Sequence, residues 1–124
     1  MPSLSVRIDL DAGGRIGPGK IELLEQIASL GSISAAGRAL GMSYRRAWEL
    51  VDDTNQIFGK AVAERQVGGK GGGGATLTPL GLSLVARYRA IERAAEDIAR
   101  THIEALEGEA KTSKRTKSPA RPIA

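Results

Sequence analysis

Ser32-Ile-Ser-Ala-Ala-Gly-Arg-Ala-Leu-Gly-Met-Ser-Tyr-Arg-Arg-Ala-Trp-Glu-Leu-Val51 reads as two short helices joined by a tight turn. Ala35, Ala36 and Leu40 give the first helix a small apolar face. Gly41 supplies the turn, where a positive φ costs glycine little. Ser43 is placed to cap the second helix. Ala47, Leu50 and Val51 then recur at helical spacing and point inward. Small residues on one helix let the other cross closely. The pattern is that of a helix-turn-helix, whose second helix enters the major groove of DNA.

The chain has 124 residues, enough for one small domain and an appendage. Only 3% of it is aromatic, so the core must be aliphatic and rich in alanine. Cysteine is absent, which excludes disulfides and thiolate metal sites and suits a reducing cytoplasm. No apolar run is long enough for a transmembrane helix or a signal peptide. The net charge is +4, and its excess is uneven. Residues 108–124 hold Lys111, Lys114, Arg115, Lys117 and Arg121 against Glu109 alone, which accounts for all of it. A nucleic-acid reading of the folded part therefore rests on where charges sit, not on their sum.

Outward from the central stretch, Leu4 to Leu10 alternates apolar and polar residues, as a half-buried strand does, and Asp11 to Gly14 is a turn. Pro18 fits the first turn of a helix. Ile21, Leu24, Ile27, Ala28 and Leu30 make an amphipathic stripe that Gly31 ends, and Ser32 can cap the next helix. The second helix of the pair is expected from Tyr44 to Phe58, stopped by Gly59. Its inner face carries Ala47, Val51, Thr54 and Phe58. Arg45, Glu49, Asp52 and Gln56 lie opposite, with Tyr44 and Arg46 on the flanks.

Two short strands follow, Ala61–Val67 and Ala75–Thr78, around Gly68-Gly-Lys-Gly-Gly-Gly-Gly74. A hairpin with a glycine tip lets the backbone lie close to phosphates, as the wing of a winged helix-turn-helix does. The tip is not a nucleotide-binding P-loop. Glu64 stands where that motif needs glycine, and Gly71 follows Lys70 where it needs Ser or Thr.

Thr78-Pro79 is a strong helix start. A helix to about Leu106 would be roughly 42 Å long. Within it Leu84, Tyr88, Ile91, Ala95, Ile98, His102 and Ala105 recur with the steps of a coiled-coil seam. The expectation is pairing with a second copy about a twofold axis. Residues 108–124 carry almost nothing apolar and are expected to be a disordered basic tail. The domain plan is thus a winged helix-turn-helix over 1–77, a dimerisation helix over 78–107 and the tail, a mainly α fold with a small β-hairpin.

With these parts in place the chain, from about Ile16 to Tyr88, resembles the N-terminal DNA-binding domain of the ModE family, molybdate-responsive bacterial transcriptional regulators whose winged domain is related to that of LysR-type regulators. Gly31-Ser-Ile-Ser34, Ser43-Tyr-Arg-Arg-Ala-Trp48, Val67-Gly-Gly-Lys-Gly-Gly-Gly-Gly-Ala75, Leu77-Thr78 and Gly81 carry the resemblance. It implies a cytoplasmic, nucleoid-associated homodimer that binds double-stranded DNA at a palindromic operator. Ser43, Tyr44, Arg45 and Lys70 are its DNA-contacting positions, with Arg46 beside them and Gly69 and Gly71 supplying wing amides. Full-length relatives carry C-terminal molybdate-binding domains of the small β-barrel type, and this sequence stops after the long helix and tail. Molybdate is therefore a cofactor by resemblance only, and no other is evident.

Arg45 and Arg46 could be solvated helix charges. With no acid between Arg38 and Trp48, contact with guanine or phosphate is the stronger reading. Glu49 is better placed to hold Arg45 than to meet cytosine. Trp48 and Tyr88 are simplest as core or seam residues, and Tyr44 can reach a phosphate. His102 belongs to the seam. Asp52 and Asp53 point apart and form no acid–base pair. No nucleophile–base set or metal cluster appears, so the chain is not expected to be an enzyme. The reading is a sequence-specific transcriptional regulator, a repressor in its simplest form. Its rivals are a module that binds a partner, such as a full-length related regulator, and an oxyanion-binding protein.

Overall fold

The computed structural model describes residues 2–66 and 73–116. The chain divides into a unit spanning Ser5–Ala90 and a second holding Met1–Leu4 and Ile91–Ala124. In order, the elements are β1 (Ile8–Leu10), β2 (Gly14–Ile16), α1 (Pro18–Leu30), α2 (Ile33–Ala39), α3 (Tyr44–Phe58), β3 (Ala63–Gln66), β4 (Gly74–Leu77) and α4 (Pro79–Thr116). The expected mainly helical fold with a small hairpin is the one observed.

The helix boundaries follow local chemistry. Pro18 opens α1, and Gly31 closes it in the left-handed conformation at φ 77°. Ser32 caps α2 by accepting from the Ala35 N–H at 2.9 Å. Gly59 ends α3, also left-handed, at φ 66°. Thr78 caps α4, its Oγ1 accepting from the Gly81 N–H at 3.1 Å.

Two connected clusters form the core of Ser5–Ala90. The first gathers Leu23, Leu24, Ile27, Ile33, Ala36, Ala47, Val51, Val62, Ala63 and Ala75. The second holds Ile16, Ile21 and Tyr88, lined by Val6, Ile8, Leu10 and Ile57. Leu84, Val85 and Phe58 pack against both. The α1 stripe differs in detail from its expectation. Leu23 is buried, whereas Ala28 and Leu30 are exposed, because the last turn of α1 reaches past the core.

Three further expectations are corrected. The first strand is shorter than Leu4–Leu10, because only Ile8–Leu10 finds a pairing partner, antiparallel in β2. Residues 108–116 are helical rather than disordered, since α4 runs on to Thr116. Glu107, Glu109, Ala110 and Lys111 are strong helix formers, and one Gly108 among them costs only about 1 kcal/mol. The rest of the tail lies outside the described residues. Tyr88 is not free to form an intermolecular seam, and Leu84 is half-buried against the chain's own core. Tyr88 is 1% exposed, and its hydroxyl donates to the Val6 carbonyl at 2.7 Å. The heptad pattern there records packing on the chain's own domain.

The start of α4 is clamped to the base of the wing. The Thr78 N–H donates to the Val62 carbonyl at 3.0 Å, and Thr78 Oγ1 donates to the Ala61 carbonyl at 2.8 Å. A side-chain carbon at Gly81 would overlap the Val62 carbonyl oxygen and stand 3.1 Å from its carbonyl carbon. Helix propensity alone would favour alanine at position 81 by about 1 kcal/mol. The backbone overlap outweighs it, so Gly81→Ala should destabilise the domain by about 1–3 kcal/mol, read as a lower urea midpoint. A raised midpoint would contradict the clamp.

A second tie joins α4 to α1. Arg89 donates from Nε to Glu25 Oε2 at 2.9 Å and from Nη2 to Glu25 Oε1 at 2.7 Å, a half-buried bidentate pair. The hydrogen bonds from Arg89 hold the Glu25 carboxyl below its ordinary value, against a smaller opposing effect of burial. A carboxylate with a lowered folded pKa stabilises above its unfolded value, about 4.3, and that contribution is lost as pH falls through the folded one. Between pH 7 and pH 3 the wild-type melting temperature should therefore fall further than that of Glu25→Gln. Parallel pH profiles would show that the pair adds nothing to stability.

Candidate nucleic-acid interface

The turn between α2 and α3 is built from backbone. The Leu40 N–H reaches the Ala36 carbonyl at 3.2 Å, the Gly41 N–H the Arg38 carbonyl at 3.1 Å, and the Met42 N–H the Gly37 carbonyl at 2.9 Å. Gly41 adopts φ 71°, as its role in the turn requires. The two helices meet at Gly37 and Ala47, both buried. A Cβ at Gly37 would stand 3.1 Å from the Ala47 Cβ.

This crossing buries the inner face of α3, namely Ala47, Val51 and Thr54. Thr54 Oγ1 donates to the Leu50 carbonyl at 2.8 Å, so the one polar member is satisfied. Phe58 is half-buried. At the far end Asn55 Oδ1 accepts from the Val62 N–H at 2.8 Å and fixes the path from α3 into the wing. The opposite face carries Arg45, Glu49, Asp52 and Gln56, all exposed.

The first turn of α3 concentrates the basic charge. Ser43 Oγ accepts from the Arg46 N–H at 3.0 Å, so the expected cap is present. The Arg45 side chain is 89% exposed, with Nε 3.6 Å from Glu49 Oε2. Arg46 Nη1 lies 3.5 Å from Glu49 Oε1 and is also exposed. Glu49 thus sits between both arginines rather than holding Arg45 alone. Such long, solvated pairs contribute little and are readily exchanged for another anion. The guanidinium groups add to the positive end of the helix dipole, where backbone amides already favour anions.

Tyr44, half exposed, leans toward the wing. Its hydroxyl accepts from Arg65 Nη2 at 3.0 Å and from Trp48 Nε1. The Arg65 guanidinium lies 4.8 Å from the centroid of the Trp48 ring. Trp48 in turn packs against the core, as expected of it. Arg65 had no sign of this role in the sequence, where it is one polar residue of a short strand. The wing strands pair antiparallel, with Arg65 opposite Ala75 and Gln66 opposite Gly74. The Ala75 N–H also donates to the Gly31 carbonyl at 2.8 Å, which ties the wing to the α1–α2 turn. Gly69, Lys70 and Gly71 lie outside the described residues.

Of the remaining seam residues, Ile91 and Ile98 are 48% and 73% exposed; His102 is exposed and Ala95 half-buried. Among the described residues no cluster of three or more His, Cys, Asp or Glu is placed to hold a metal. No described helix is long and apolar enough to cross a membrane. An open groove of about 470 Å³ between the β1–β2 turn and the later part of α3 is lined by charges of both signs, including Lys20, Asp52 and Asp53.

Three helices, a paired wing and an outward first turn on the third helix define a winged helix-turn-helix domain. Residues 19–82, just over half of the sequence, match the bacterial regulatory helix-turn-helix proteins of the lysR family, and the chain belongs to that family. It is 48% identical over 80 residues to the molybdenum-pterin-binding protein MopB of Rhodobacter capsulatus, covering 64% of this chain and 30% of that protein. It is 45% identical over 71 residues to the DNA-binding transcriptional dual regulator ModE of Escherichia coli (strain K12), covering 57% and 27% respectively. The chain thus spans under a third of the length of these curated relatives. The ModE resemblance drawn from the motifs holds over the domain. Among solved structures, a CbnR_DBD–DNA complex superposes with a TM-score of 0.55 at 20% identity, over 70% of this chain and 95% of that one, and shows the same fold.

Proposed function

We propose that this chain is a ModE-type transcriptional regulator that binds a palindromic operator as a dimer. The observation that carries the reading is the first turn of α3, where Arg45 and Arg46 stand exposed on a capped helix start held by the Gly37–Ala47 crossing. In this reading the turn enters the major groove. Arg45 meets guanine O6 and N7 or grips phosphate, Ser43 and Tyr44 position beside it, and Arg46 flanks them. Glu49 gives up the two arginines as they meet DNA. Lys70, with the amides of Gly69 and Gly71, holds the flanking backbone.

The dimer is carried by α4 through Ile91, Ala95, Ile98, His102 and Ala105. It sets two reading helices about 34 Å apart, or a multiple of that distance. Occlusion of a promoter is the simplest output, which makes the chain a repressor acting on the bacterial nucleoid in the cytoplasm. Support comes from the lysR-family match and from relatives named as a DNA-binding regulator and as a molybdenum-pterin-binding protein.

The test is a salt-titrated selection from fragmented genomic DNA, with and without molybdate. Enrichment of a palindrome is the expected result, and the molybdate arm reports whether this chain responds to the anion. Weak, uniform binding that falls steeply with salt would reduce the interaction to phosphate attraction and overturn the reading. On the recovered operator Arg45→Ala should cost about 1–3 kcal/mol of affinity. Unchanged affinity would remove Arg45 from the interface.

A further inference from the structure

Arg65 is placed where two parts of the interface meet. It projects from β3 of the wing, yet its partners Tyr44 and Trp48 belong to α3, Tyr44 lying 21 residues earlier in the chain. Its Nη2 donates to the Tyr44 hydroxyl, and its guanidinium covers the Trp48 ring. Trp48 donates to the same hydroxyl and is itself seated against the core. The result is a chain of contacts from the core through Trp48 to the wing, and from both to the first turn of the reading helix.

The arrangement has a chemical consequence for Tyr44. A phenol oxygen accepts through its lone pairs and donates one proton. Here two N–H groups already occupy the oxygen as an acceptor, so what Tyr44 retains is its proton. That proton suits an acceptor on DNA, such as a phosphate oxygen or the O6, N7 or O4 edge of a base, and does not suit the amino group of cytosine or adenine.

We propose that Arg65 is a positioning residue for DNA recognition. It locks Tyr44 as a one-way hydrogen-bond donor on the first turn of α3 and couples the setting of the wing to that of the reading helix. The proposal rests on the DNA-binding reading above. It assigns Arg65 a role distinct from phosphate contact, which a wing arginine could otherwise be taken to have. The planar guanidinium is needed because one face must cover an indole while an edge donates in a fixed direction, a geometry that a lysine ammonium does not reproduce.

The experiment measures operator affinity against salt for the wild-type chain, Arg65→Ala, Arg65→Lys, Tyr44→Phe and the Arg65→Ala/Tyr44→Phe double variant. Circular dichroism confirms the fold of each. Trp48, the only tryptophan, reports the lock in the free protein through its emission. Arg65→Ala is expected to weaken binding roughly tenfold with an unchanged salt slope. Arg65→Lys should recover little, and the double variant should bind no worse than Tyr44→Phe alone. The emission of Trp48 should move in both Arg65→Ala and Tyr44→Phe. A salt slope reduced by about one with full recovery in Arg65→Lys would make Arg65 a phosphate contact and overturn the proposal. Additive losses or unmoved emission would overturn it as well. If the wild-type chain selects no sequence, the regulator reading fails and takes this role with it. If it selects one and Arg65→Ala binds as well as wild type, this proposal alone fails.

Discussion

The Gly37–Ala47 crossing is the contact on which the rest of the interface depends. Two buried small residues bring the axes of α2 and α3 close, with the Met42 carbonyl 3.4 Å from where a Gly37 side chain would begin. A larger residue at either position would push the helices apart. α3 would then have to shift, and its first turn, with Ser43, Arg45 and Arg46, would shift with it. A tight contact in the core thus helps to set where a charged surface stands.

The wing depends on the same logic one step further out. It is fastened at its base by Asn55, which holds the Val62 N–H, and by Thr78, which holds the Ala61 and Val62 carbonyls, while Gly81 leaves room for the Val62 carbonyl. It is fastened along its length by Ala75 to Gly31 and by Arg65 to Tyr44. The wing therefore inherits its orientation from both flanking helices. At the exposed first turn of α3, Glu49 pairs with both arginines only at long range. Such long, solvated ion pairs add little to stability.

Most of the domain was legible because its boundaries are written in local chemistry. Ser32, Ser43 and Thr78 cap helices, Gly31, Gly41 and Gly59 turn left-handed, and Pro18 and Pro79 start helices where the sequence places them. What was not legible is long-range. The heptad steps that include Leu84 and Tyr88 state that these residues are apolar on one helix face. They do not state that Ile16 and Ile21 of the same chain fill the facing side. The pairing of β1 with β2 was hidden because Gly14-Arg-Ile16 is too short to alternate. The α1 stripe read Leu30 as inward, since periodicity does not show where a core ends. Arg65 was hidden for the same reason as Tyr88: its partner lies far away in sequence, and nothing in a four-residue strand names it.

The most direct test of the account is to map amide chemical shifts of the isotope-labelled chain during titration with its selected operator duplex. The largest changes should fall on Ser43 to Glu49 and on Arg65, with the buried face of α3 at Val51 and Thr54 little moved. Changes confined to α4 beyond Ala90, with the first turn of α3 silent, would contradict it.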